Sequence, residues 1–178
     1  MTSKLKKKYT DSRFLANRLD FNTKYSRTDF SKWLFGFLDQ LEFNTVLDVA
    51  CGTGKQALWF AEKLKSSGSV SALDISPQSV EKLKAASRSL KNINVAVGSM
   101  DTLKESVQKN FSAERFDVVH CAYALYYALD SQKTLSDMKE LLTEGGNLVI
   151  CGPHLVNSFI IFISKYQELP QISWDCLE

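Results

Sequence analysis

The sequence is poor in the residues that build metal sites. It has two histidines, His120 and His154, and four cysteines, Cys51, Cys121, Cys151 and Cys176, none of them in a C-x-x-C pair. No zinc pattern results, no metal is expected, and the thiols read as buried and reduced, as in a cytoplasmic protein. The N-terminus is too polar for a signal peptide. The longest apolar run, "FIIFI" at Phe159 to Ile163, is far short of the roughly 20 residues that cross a bilayer, so no membrane partner is expected. A net charge of +2 with no basic stripe gives no reason to expect nucleic acid. The basic run "KLKKK" at Lys4 to Lys8 reads as a solvated tail. Internal repeats and low-complexity linkers are also missing, and 178 residues fit one domain with a modest core.

Against these absences stands a regular alternation. From Thr45 onward short β-branched runs alternate with amphipathic stretches. Strands are predicted at 45–50, 69–75, 93–97, 115–122 and 147–152. Helices are predicted between them. The first carries Ala57, Phe60, Ala61 and Leu64 on one face and stops at Gly68. The second is capped by Ser76 with Pro77 in its first turn and lined by Val80, Leu83, Ser87 and Leu90. A weaker one spans Leu103 to Lys109. The last, with Leu135, Met138, Leu141 and Leu142 inside, ends at the Gly145-Gly146 turn. Such alternation implies right-handed crossovers and a doubly wound, mainly parallel α/β sheet covered on both faces.

Residues 1–44 stand outside the pattern. "TDSRFLANRLD" reads as a short weak helix. "TDFSKWLFGFLDQL" reads as an amphipathic helix capped by Thr28, with Trp33, Phe37 and Leu41 buried. These elements either cover one side of the sheet or, around Tyr25 to Trp33, form a lid over the ligand. Residues 153–178 are expected to form a truncated, helical C-terminal segment, which would leave the sheet without its last strands and with an open edge.

The most specific stretch is "LDVACGTGKQ", Leu47 to Gln56. A nucleoside-triphosphate loop would need glycine at residue 49 and a hydroxyl at 56, and the chain has Val49 and Gln56. The dinucleotide spacing G-x-G-x-x-G/A is met by Gly52, Gly54 and Ala57, yet Asp48 closes the strand just before it. Like charges about 4 Å apart oppose each other by roughly 4 kcal/mol at an effective dielectric near 20, so a carboxylate here disfavours a pyrophosphate. A ligand with a cationic amino-acid part fits better. Asp48 can face an ammonium while backbone N–H groups from Gly52 to Lys55 meet a carboxylate.

"VLDVACGTGK" resembles the first motif of class I S-adenosylmethionine-dependent methyltransferases, and the likeness extends in order along residues 45–152, the implied S-adenosylmethionine-binding core. The resemblance implies a Rossmann-like methyltransferase fold and S-adenosyl-L-methionine as cofactor. It implies cofactor contacts from Tyr25, Asp48, Ala50, Cys51, Gly52, Thr53 and Gly54. Asp74 in "SALDIS" is similar to the acid that grips both ribose hydroxyls, and lies twenty residues beyond Gly54 as that role requires. Ile75 would pack on the adenine. In "GSMD", Ser99, Met100 and Asp101 are similar to the segment that reads the adenine edge. Two departures are visible: Ala50 stands where glycine is commoner, and Lys55 replaces a small residue or arginine.

Other readings stay open for each of these positions. Asp74 and Asp101 can also be read as helix caps. Cys51 reads as a turn filler that contributes backbone. His120 and His154 are candidate catalytic bases, needed only if the acceptor loses a proton, and His120 is also a candidate cofactor contact. The alternative for either histidine is simple packing. Tyr123, Tyr126 and Tyr127 form either core or an acceptor pocket. "HCAYALYY" lacks the proline motif of amide and base methylation, so a small organic acceptor is expected. Two rivals remain, a cofactor-binding but inactive protein and a nicotinamide-dependent oxidoreductase.

Overall fold

The computed structural model describes residues 30–153 with their neighbours in the fold, and the backbone of the strand at 159–165. Thr28, Tyr25, His154, Cys176 and the weak helix before Thr28 lie outside the described residues. The described residues begin with helix α1 (Phe30–Leu38) and continue with β1 (Thr45–Val49), α2 (Lys55–Leu64), β2 (Ser69–Asp74), α3 (Pro77–Ala86) and β3 (Ile93–Val97). A short 3-10 turn (Met100–Thr102) leads into α4 (Leu103–Asn110). There follow β4 (Phe116–Ala122), a second 3-10 turn (Leu125–Tyr127), α5 (Ser131–Glu140), β5 (Leu142–Pro153) and β6 (Phe159–Lys165).

The six strands form one sheet in the order β3-β2-β1-β4-β5-β6. Strands β1 to β5 are mutually parallel and β6 runs antiparallel along β5. From β1 the chain winds outward to β3, then returns to place β4 on the other side of β1. The winding therefore reverses between β1 and β4, and in sheets of this kind a ligand sits beyond the strand C-termini at that reversal. Near-continuous burial along β1 and β2 follows from helices on both faces.

One face carries α1, α2 and α3, with Leu34, Leu38, Phe60, Leu64 and Leu83 packed on Val46, Val70 and Val118. The other carries α4 and α5, with Leu103, Val107 and Met138 on Leu47, Leu73 and Val119. Helix α1 turns Leu34 and Leu38 fully inward, whereas Trp33 and Phe37 on its flank, and Leu41 in the turn beyond it, are half-buried. Phe35 stacks on Trp59 of α2 with ring centroids 4.6 Å apart, which fixes the roll of α1 and sets that face. Each fully buried leucine here contributes about 2 kcal/mol.

Three expectations are corrected. Helix α2 stops at Lys65, which takes a left-handed φ of 51°, three residues before Gly68. Gly68 serves a different need, because a Cβ there would sit 2.0 Å from the carbonyl oxygen of Asn44 at the entrance to β1. Helix α5 ends at Glu140, and Leu142 already opens β5, before the glycine turn. A register irregularity between Phe116 and Val118 lets β5 run past Gly145 and Gly146. Finally, residues 159–165 of the expected helical segment form a strand: β6 pairs with β5 from Asn147↔Lys165 to Pro153↔Phe159 and covers the edge expected to be open. The apolar run Phe159 to Ile163 suits a β-branched and aromatic strand as well as a helix, and the free edge of β5 decides between them. Among the described residues no helix is long and apolar enough to cross a membrane.

Candidate active site

The β1–α2 turn is shaped by left-handed backbone at Ala50 (φ 58°), Gly52 (φ 56°) and Gly54 (φ 90°). Gly54 is obligatory twice over, since a Cβ there would also stand 2.1 Å from Leu83 Cδ1 of α3. The turn is pinned by Cys51 N–H donating to the Leu73 carbonyl at 3.0 Å and by Gly54 N–H donating to Cys51 at 2.9 Å. Gly54 then caps α2 without a side-chain hydrogen bond. The first-turn N–H groups of an α-helix have no acceptor within it, so this end of α2 suits an anion such as a carboxylate.

Two acids flank the turn. Asp74, last residue of β2, accepts the Gly52 N–H at 2.7 Å and the Ser76 N–H at 2.8 Å. Burial raises its carboxyl above the ordinary aspartate value, the two N–H donors oppose that, and the Asp48 charge adds to it. The cap of α3 is Ser76, whose hydroxyl accepts the Ser79 N–H, so Asp74 braces the glycine turn and does not cap the helix. Asp48, only 2% exposed, accepts a hydrogen bond from His120 Nδ1 at 2.7 Å. These two residues face each other in register across the β1/β4 reversal. Among the described residues, Asp48 Oδ2 and His120 Nε2 are buried without hydrogen-bond partners.

The adenine-edge candidates lie on the next strand end. Ser99 caps the 3-10 turn by accepting the Asp101 N–H, and Ser106 of α4 braces Ser99 through its hydroxyl. Asp101 does not cap α4. Its Oδ1 accepts the Leu129 N–H at 2.8 Å and ties the loop after β4 to the segment after β3. Among the described residues the exposed large hydrophobics are Ile75, Val97, Tyr126 and Leu129. All four follow or end β2, β3 and β4 at the strand C-termini, which makes an apolar rim around the reversal. Met100 and Thr53 are partly buried at the same end.

Cys51 is buried, and desolvation, then the charges of Asp48 and Asp74, push its thiol well above the usual range, which disfavours the reactive thiolate. Among the described residues no group of histidines, cysteines or acids is arranged to hold a metal ion.

The sequence pattern of the methyltransferase domain family matches residues 42–176. The chain belongs to that family. Among similar proteins, the aklanonic acid methyltransferase DauC of Streptomyces sp. (strain C5) is 32% identical over 110 residues, 61% of this chain and 47% of that protein. The ubiquinone/menaquinone biosynthesis C-methyltransferase UbiE of Geotalea daltonii is 33% identical over 108 residues, 59% of this chain and 43% of its own. In three dimensions the DszA carbon methyltransferase overlays with a TM-score of 0.57 at 28% identity, over 70% of this chain and 34% of that one. The chain thus spans less than half the length of these relatives that it matches.

Within this methyltransferase domain the structure brings Asp48, Ala50 to Gly54, Asp74, Ile75, Ser99 to Asp101 and His120 to one end of the sheet. Sequence reasoning missed Leu129 at the rim, whose placement depends on a loop crossing that no local pattern encodes. It also missed the left-handed φ of 55° at Tyr123, which leaves β4 with its N–H on the Cys151 carbonyl. A non-glycine residue held so at a strand end is a common mark of a functional turn.

Proposed function

We propose that this chain is the cofactor-binding part of an S-adenosylmethionine-dependent methyltransferase that acts on a small organic acceptor. The observation that carries the reading is the pair of buried carboxylates flanking the glycine turn, one with an oxygen still open. Such a turn repels a pyrophosphate and welcomes a cationic amino-acid tail.

When bound, S-adenosylmethionine supplies a methyl group on a cationic sulfur. Asp48 Oδ2 would hold its ammonium, and the N–H groups opening α2 would hold its carboxylate. Asp74, whose oxygens each keep a lone pair beyond their backbone bond, would hold the ribose hydroxyls. Ile75, Met100 and Asp101 would line the adenine, and Ala50, Cys51, Thr53 and Ser99 would contribute backbone. The chain's part in catalysis is alignment and exclusion of water by the apolar rim. Tyr25 and His154 remain candidates for the lid and for a base. Two of the three relatives are named for transfer to carbon, so enol- and phenol-type carbon nucleophiles head the acceptors to try.

Calorimetric titration tests the reading. S-adenosylhomocysteine should bind and NAD should give no heat. Binding of NAD instead would reverse the assignment, and tight S-adenosylhomocysteine binding with no turnover of any acceptor pool would favour an inactive binding protein.

A further inference from the structure

Asp48 and His120 sit side by side on β1 and β4 at the point where the winding reverses. Both are buried, His120 completely. The Phe60 ring of α2 meets the imidazole edge to face, with centroids 5.5 Å apart, and Val149 of β5 is its neighbour on the other strand. An ionised carboxylate only accepts, so the 2.7 Å contact places the proton on Nδ1. The imidazole thereby holds Asp48 Oδ1 in one place, and a carboxylate held by one oxygen can present the other in a single direction. That other oxygen, Oδ2, is buried with no partner among the described residues. Buried polar atoms are normally satisfied, so an orphaned carboxylate oxygen at a ligand-binding reversal calls for a donor that arrives with the ligand. Asp74 offers no equivalent, because each of its oxygens already holds a backbone N–H.

We propose that His120 is a positioning residue that fixes the Asp48 carboxylate so that Oδ2 receives the α-ammonium of the cofactor's amino-acid tail. This rests on the reading that the glycine turn holds S-adenosylmethionine. His120 therefore acts through Asp48 and not on the methyl acceptor. Its Nε2 is enclosed, and among the described residues it has no hydrogen-bond partner to relay a proton outward as a base must. The role gives the buried polar pair beneath Phe60 a purpose that packing alone does not supply.

The test compares the parent with His120→Asn, whose amide nitrogen can stand near the position of Nδ1, and with His120→Leu, which has no donor. Each is titrated with S-adenosylhomocysteine and with 5′-methylthioadenosine, which lacks the amino-acid tail. His120→Leu should bind S-adenosylhomocysteine about tenfold more weakly, the size expected for a lost charge-assisted contact. His120→Asn should stay within about threefold of the parent, and 5′-methylthioadenosine should bind all three alike. Equal S-adenosylhomocysteine affinity in His120→Leu, or an equal loss for both ligands, would overturn the proposal. A parent that binds neither ligand would instead refute the cofactor reading. Should His120→Leu fail to fold, ¹⁵N imidazole resonances of the parent decide. The Nδ1–H signal should move on adding S-adenosylhomocysteine and stay still with 5′-methylthioadenosine, and the same response to both would count against the proposal.

Discussion

Asp74 Oδ2 accepts the N–H of Gly52 at 2.7 Å, across 22 residues of sequence. One side chain thus fixes the end of β2 against the glycine turn that leaves β1, and the turn keeps its left-handed shape before any ligand arrives.

Replacing that acid with Asn separates folding from binding. Burial raises the Asp74 carboxyl, so its ionised form is disfavoured in the folded chain. A group raised in this way supports the fold most fully below its unfolded value and loses that support as pH rises through the folded one. Asp74→Asn should therefore unfold within about 1 kcal/mol of the parent at pH 7. In urea titrations the stability difference should favour the parent in acid and move toward the variant as pH rises. Affinity for S-adenosylhomocysteine should fall at least about tenfold. Unchanged affinity would remove Asp74 from the ribose site.

Ala50 occupies a left-handed position that costs a non-glycine residue about 1–2 kcal/mol. Ala50→Gly releases this strain but adds freedom to the unfolded chain, so a net gain of roughly 0.5–1 kcal/mol is expected in chemical denaturation. A loss of stability would mean that the alanine methyl packs usefully in the turn.

At the opposite end of the sheet Asp117 accepts the N–H groups of Asn44 and Thr45 at 2.9 Å and the Thr143 hydroxyl at 3.0 Å. Partial burial alone would raise its carboxyl, but these donors outweigh it and hold the value below the ordinary aspartate level. The stability it contributes is present above the unfolded value near 3.8 and lost as pH falls through the folded one. Asp117→Asn should cost about 1 kcal/mol at pH 7 after screening by solvent. That deficit should vanish in acid unfolding series below the same range; one that persists at low pH would point to lost packing.

The thiols of Cys51, Cys121 and Cys151 are free and buried. Desolvation, then the Asp48 charge, pushes Cys121 up to about 12, and burial raises the other two as well. Peptide mapping after iodoacetamide treatment of the native protein at pH 8 should find these three unlabelled, with full labelling only after denaturation. Rapid native labelling of Cys51 would show that the glycine turn opens.

Periodicity exposed the strands from β1 to β4 to within a residue or so, because a strand buried on both faces and a helix buried on one leave distinct apolar patterns. It misjudged boundaries where packing supplies the stop. Lys65 ends α2 by its own backbone twist, and β5 extends to Leu142 because β4 offers free hydrogen-bonding groups that far. The apolar run at 159–163 carried no period to separate helix from strand, and the exposed edge of β5 claimed it.

The chemical type of the turn was legible from Asp48, Gly52, Gly54 and Asp74, since a glycine-rich bend beside acids constrains the ligand's charge wherever it is found. Their partnerships were not. Whether Asp74 capped a helix or braced the turn, and whether His120 was packing or a partner of Asp48, depended on the winding that sets β1 between β2 and β4. Local sequence determines which residues can donate, accept or turn sharply. Only the tertiary sheet decided which of them meet, because residues 72 positions apart such as Asp48 and His120 become neighbours through strand order alone.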